Sequence, residues 1–94
     1  MLIIAGHLVL NPADRQAYLD LAKDVAVQAR ATEGCLDFVQ SADPLDSTRI
    51  NIFERWVSEE PMIAFRELDQ PELQLPAIVD ADVKRYVVAS VEAP

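Results

Sequence analysis

Apolar side chains occupy both sides of an extended segment at the start of the chain, with Leu2, Ile4, Leu8 and Leu10 on one side and Ile3, Ala5 and Val9 on the other. The segment predicts a strand over Leu2–Leu10. Asn11-Pro12-Ala13-Asp14 then supplies a capping side chain, a proline suited to a first helical turn and an acid favoured by the helix dipole. Tyr18, Leu21, Ala22, Val25 and Ala29 follow at intervals of three and four, so a helix with one apolar stripe is expected to run to Glu33-Gly34. The period changes to two from Leu36 to Ala42 and from Arg49 to Val57, on either side of Asp43-Pro44-Leu45-Asp46-Ser47, which predicts a hairpin. Ser58 offers an N-cap, Glu59, Glu60 and Pro61 suit a first turn, and a second helix is expected over Glu59–Asp69 with Met62, Phe65 and Leu68 inward. Pro71 and Pro76 limit any straight continuation, a short helical turn is expected near Leu73–Val79, and Val83–Val91 reads as the closing strand.

The order strand, helix, strand, strand, helix, strand is the ferredoxin-like βαββαβ arrangement, an α+β fold with an antiparallel sheet and two helices on one face. The predicted third strand is also two-sided, Ile50, Ile52 and Trp56 opposing Phe53 and Val57. Two helices cover one face, so the other is expected to pack against a second copy, making a homodimer. No repeat or linker divides residues 1–94, which read as a single domain. Because the chain has only 94 residues, burial against a second copy would also add to a small core.

Charge narrows the choice of partner. A net charge of -8 repels phosphate backbones, and the eight Lys and Arg are scattered, so nucleic acid is not an expected partner. No apolar run approaches the ~18 residues of a membrane span, and Met1–Ala5 is too short for a signal peptide, so no membrane association and a cytoplasmic location are expected. The single Cys35 allows no disulfide within the chain.

The run EGCLDFVQ from Glu33, a strand ending FERW at Trp56 and then SEEPMIAF resembles the antibiotic biosynthesis monooxygenase family over nearly the whole chain. Members typically carry a glycine-cysteine or similar pair, a hairpin and E-x-W-x-S-x-E before a helix, matched here by Gly34, Cys35, Glu54, Trp56, Ser58 and Glu60. The resemblance implies a dimeric α+β barrel. It also implies a range of activities: cofactor-free oxygenation of quinols and anthrones, haem degradation and isomerisation of small signalling molecules. In the anthrone oxygenases the strand tryptophan is joined by an asparagine four positions earlier and a tyrosine six later; here Ile52 and Met62 stand there, and Trp56 alone matches. Many members place a histidine on the following helix where this chain has Phe65.

The residues themselves point away from bound groups. Gly6 and Gly34 are too far apart for a phosphate-cradling loop, and one His with one Cys makes no ordinary metal cluster, so no cofactor and no metal are expected. An enzyme of this composition has to use the chemistry of an electron-rich phenol, which can reduce dioxygen directly once deprotonated in a dry pocket. Trp56 and His7 are the catalytic candidates, and Trp56, Phe65, Met62, Ile52 and Tyr86 the candidate lining for a small aromatic substrate. Each also has a structural reading: Trp56 as core, His7 as a hydrogen-bonded residue on the dimer face, Tyr18 and Tyr86 as core rings, Glu59 and Glu60 as helix-start charges. Arg55 and Asn51 read as a polar network needing a partner such as Asp37 across the hairpin, and Cys35 lacks a nearby base to make it a nucleophile. The leading expectation is a cofactor-independent monooxygenase of a hydroxylated aromatic. The alternatives are a non-catalytic small-molecule-binding or stress-associated dimer and an isomerase of a small carbonyl compound.

Overall fold

In the computed structural model, which describes residues 1–68 and 75–94, the alternating segments form one four-stranded antiparallel sheet in the order β2-β3-β1-β4. Its strands are β1 (Leu2–Leu10), β2 (Cys35–Ala42), β3 (Arg49–Trp56) and β4 (Ile78–Val87). Helices α1 (Arg15–Arg30) and α2 (Glu59–Arg66) complete the βαββαβ order. Asn11 opens a short 3-10 turn, its Oδ1 accepting from the Ala13 amide at 3.0 Å, and α1 continues from it. Ser58 stands at the N-cap of α2 in extended conformation, but its hydroxyl makes no capping bond.

The stripes fill the space between sheet and helices. Leu2, Ile4, Ala29, Phe38, Trp56, Met62 and Phe65 make one buried cluster; Leu8, Leu10, Tyr18, Ala22, Ile50 and Ile52 make the other. Each large apolar side chain enclosed in this way contributes on the order of 1.5–3 kcal/mol. The opposite sheet face carries no helix, and Val39, Phe53 and Tyr86 on it stay open. The Cα envelope is accordingly only 18 Å deep against 39 and 34 Å across.

Several boundaries depart from the sequence expectation. α1 ends at Arg30 rather than near Gly34, and Leu21 and Leu68, expected inward, are exposed. Gly34 instead serves the entry to β2: its φ is +92°, and a Cβ there would lie 2.6 Å from Pro61 of α2. A bulge between Cys35 and Asp37 makes Leu36 an extra residue against β3 and turns it outward. β4 begins five residues before the expected Val83 and ends at Val87. Its register is set by backbone pairing with β1, and Asp80 and Asp82, which look like turn residues, are tolerated because an edge strand leaves them in solvent. Asp69 and Leu73, at the expected end of α2 and start of a helical turn, lie outside the described residues; Leu75, Pro76 and Ala77 are not helical. Among the described residues no helix is long and apolar enough to cross a membrane.

The β2–β3 connection is fastened at several points. Arg15 at the start of α1 donates through Nη1 to the carbonyls of Asp46 at 2.7 Å, Asp43 at 3.2 Å and Arg49 at 3.3 Å. Asp43 accepts from Asn51 Nδ2 at 2.8 Å and from the Leu45 and Asp46 amides, and these bonds, the Asn51 one foremost, hold its carboxyl below the ordinary carboxylate range. A depressed folded pKa means that the stabilisation is complete above the unfolded value near 4 and fades as pH falls through the folded one. Asp43→Ala is therefore expected to lower the thermal midpoint at pH 7, with the gap to the parent narrowing in melts recorded at pH 3 and closing further below. Gly34→Ala, which places a side chain at positive φ and against Pro61, is expected to cost more than about 1 kcal/mol in urea unfolding.

Candidate functional site

The helix-facing row of β3 reads Ile50, Ile52, Glu54, Trp56, three apolar residues and one carboxylate. Pairing with β1 and β2 sets Trp56 between Leu2 and Cys35, Glu54 between Ile4 and Phe38, and Ile52 between Gly6 and Gln40. α2 brings Met62 and Phe65 down onto Trp56, and α1 brings Ala29. The ring of Phe65 lies 5.7 Å from that of Trp56, and Phe38 meets Phe65 edge-on at 5.9 Å. Such aromatic contacts add roughly 0.5–1.5 kcal/mol to the area they bury.

Trp56 is completely enclosed, as is Met62. A buried indole needs an acceptor, and Trp56 Nε1 donates to Glu54 Oε1 at 3.0 Å. Glu54 is half-buried. Its charge reaches the Cys35 thiol, whose pKa is raised first by burial, then by Glu54 and Asp37, against a smaller opposing effect of Arg30. A thiol held protonated in this way is a poor nucleophile. Tyr18 is likewise core, burial raising its hydroxyl pKa.

The expected site residues thus divide. Trp56, Met62 and Phe65 come together in one cluster, while Ile52 belongs to the neighbouring one with Tyr18 and Ala22. His7 and Tyr86 are on the other side of the sheet. His7 sits in register with Asn51 on β3 and Asp82 on β4, and Tyr86 beside Ile3 with half its surface open. Tyr86 therefore neither forms core nor reaches the space beneath the helices of its own chain. The polar network expected around Arg55 and Asn51 is present: Arg55 Nε meets Asp37 Oδ2 at 2.8 Å, and Asn51 links Asp43 to Arg49, accepting from Arg49 Nε at 2.7 Å. Glu59 does more than charge a helix start, since its carboxylate accepts from Arg85 Nη1 at 3.2 Å and ties α2 to β4.

Two features were not read from the sequence as parts of a site. Glu54 is one, named only for its match to the family's pattern although a charged residue in an otherwise apolar row was a visible signal. The second is a groove of about 380 Å³ between α1 and β2, lined by Leu19, Lys23, Ala26, Val27, Phe38 and Gln40 among others. Gln40 Oε1 is buried without a hydrogen-bond partner among the described residues. The groove needs side chains from a helix and a strand that the period of neither element places together.

The sequence profile of the antibiotic biosynthesis monooxygenase family matches residues 1–71. No curated protein matches the chain. Among solved structures, a Nitrosomonas europaea protein named provisionally as an antibiotic biosynthesis monooxygenase superposes with a TM-score of 0.78 at 13% identity, covering 96% of this chain and 100% of the other. A Chloroflexus aurantiacus protein with the same provisional name gives 0.73 at 25% identity over 98% and 96% of the two chains. A Pseudomonas aeruginosa protein, PA3566, gives 0.76 at 15% identity over 95% and 94%. With the four-stranded order, the two helices on one face and Trp56 closing β3, the profile match establishes that this chain belongs to the antibiotic biosynthesis monooxygenase family.

Proposed function

We propose that the protein is a cofactor-independent monooxygenase of a hydroxylated aromatic, of quinol or anthrone type, working as a homodimer. The observation that carries this reading is the Trp56–Phe65–Phe38 aromatic cluster under the helices, built around the tryptophan at the family's characteristic position. An activated methylene of an anthrone-type substrate is oxidised by dioxygen to a carbonyl, one oxygen atom entering the product and the other leaving as water. The electrons come from the substrate itself. The protein supplies a flat apolar wall, exclusion of water and an acceptor for the proton released as the substrate ionises.

Complete enclosure of Trp56 and Met62 favours a second reading, a non-catalytic binding dimer in which the cluster is simply core. Oxygen consumption separates the two. With naphthoquinols or anthrone in an oxygen electrode, the oxygenase reading expects uptake above the spontaneous rate, in proportion to product, and a drop of at least roughly tenfold in Trp56→Phe, about 1.4 kcal/mol of barrier. Phenylalanine keeps most of the buried volume, so circular dichroism is expected to show that variant folded. No uptake above the spontaneous rate with any of these substrates overturns the oxygenase reading.

The uncovered sheet face supports the homodimer. Ile3, Ala5, Val9, Val39 and Phe53 form an apolar centre there, flanked by the Arg55–Asp37 and Lys84–Asp82 pairs, and a second copy presents the same mixture to it. Light scattering during size-exclusion chromatography is expected to give twice the 10.4 kDa chain mass, and Phe53→Glu to shift it toward one chain. A parent protein running as a single chain at micromolar concentration removes the dimer.

A further inference from the structure

In a chain of net charge -8, cations without a carboxylate partner stand out. Arg49, Arg55, Lys84 and Arg85 each meet a carboxylate within 4.0 Å. Lys23 and Arg30 meet none among the described residues, and both line the groove of about 380 Å³ between α1 and β2. Arg30 Nε donates to the Phe38 carbonyl at 2.9 Å, which sets the end of α1 level with Phe38. β2 then runs back along the helix. Two strand residues cover about 6.6 Å and four helical residues about 6 Å, so Gln40 comes level with Ala26, between Lys23 and Arg30. Gln40 Oε1 is buried without a partner; Nε2 makes no hydrogen bond among the described residues and is not sealed, so the amide turns its donor end to the groove. Three donors therefore converge near Ala26. Toward the start of α1 the wall is apolar, with Leu19 half-buried, and the groove's one carboxylate, Asp20, already accepts from Gln16 Nε2 at 2.9 Å.

We propose that the α1–β2 groove is a binding site for an aliphatic monocarboxylate, its head held by Lys23, Arg30 and Gln40 and its chain laid along Leu19 toward Gln16. The site is separate from the aromatic cluster and does not depend on the oxygenase reading, since Trp56 is sealed and does not line the groove. Three properties select the ligand. Its head is anionic, because two cations and an amide N–H without carboxylate partners face it. Its body is an extended chain rather than a fused ring, because residues Gln16 to Arg30 span roughly 21 Å of helix, over which about 380 Å³ makes a long, shallow trough near the lower end of small-molecule sites. Its far end is uncharged, because Asp20 repels a second anion there. A peptide strand added to the free edge of β2 fits less well, since Arg30 already occupies the Phe38 carbonyl on that edge.

Titration of the ¹⁵N-labelled full-length protein with octanoate, 1-octanol and suberate, followed by amide resonances, tests each property. Octanoate is expected to give saturable shifts confined to residues 19–30 and 38–40, and to bind at least about fivefold more tightly than either the uncharged alcohol or the dicarboxylate. Lys23 is exposed on α1, so Lys23→Glu is expected to stay folded. In it octanoate affinity is expected to drop by roughly tenfold or more while octanol affinity holds. Lys23→Gln, which removes the charge alone, covers the case in which the reversed charge unfolds the helix, and is expected to lose about threefold for octanoate. Equal affinity for octanoate and octanol, octanoate affinity unchanged in the folded Lys23 variant, suberate binding as well as octanoate, shifts lying elsewhere, or no saturable shift at all overturns the proposal. Shifts in residues 19–30 and 38–40 that develop with protein concentration and without added ligand assign the groove to a second copy, and overturn it too.

Discussion

Alternation along β1 and β3 governs this protein, because it sends apolar side chains to both faces of a sheet that has helices for only one. On the helix side the consequence is a pair of enclosed clusters, with Trp56, Ile50, Leu10 and Met62 sealed from solvent. On the other side Ile3, Ala5 and Val9 share the surface with charged pairs and with His7. The two faces thus have different chemistry: one is covered and aromatic, the other an uncovered mixture of apolar residues and charged pairs. Glycine at position 6 belongs to the same constraint, since a side chain at its φ of +151° would run into the backbone of β4.

Within the helix-covered face, the enclosed Trp56 makes one polar contact, to Glu54. A tryptophan buried under two helices could have pointed its N–H at a backbone carbonyl. Here it uses a side-chain carboxylate two residues earlier on the same strand, beside the ring that packs on Phe65. Alternation puts i and i+2 on the same face, so Glu54 and Trp56 are neighbours whatever the helices do. What the helices add is the enclosure of the indole, which leaves its N–H dependent on the half-buried Glu54.

The local elements were legible because each is encoded by its own period. The stripe through Tyr18, Ala22 and Ala29, the hairpin around Asp43–Ser47 and the Asp37–Arg55 pair all follow from spacing within one helix or across one turn. β4 was misplaced because its ten residues are all exposed, and a strand with neither face buried carries little alternation to read. Leu68 was misjudged because the short second helix ends at Arg66, before its last apolar residue turns inward.

The amino-acid order by itself determined the six elements, the two-sided strands, the shortage of metal-binding residues and the location of Trp56 at the end of β3. The tertiary structure decided which side chains share a space. It gathered Trp56, Phe65, Phe38 and Met62, moved Ile52 to a second cluster, and left His7 and Tyr86 across the sheet. The physical reason is that period fixes the direction of a side chain relative to its own element, whereas its neighbours depend on strand register and on where a helix lands.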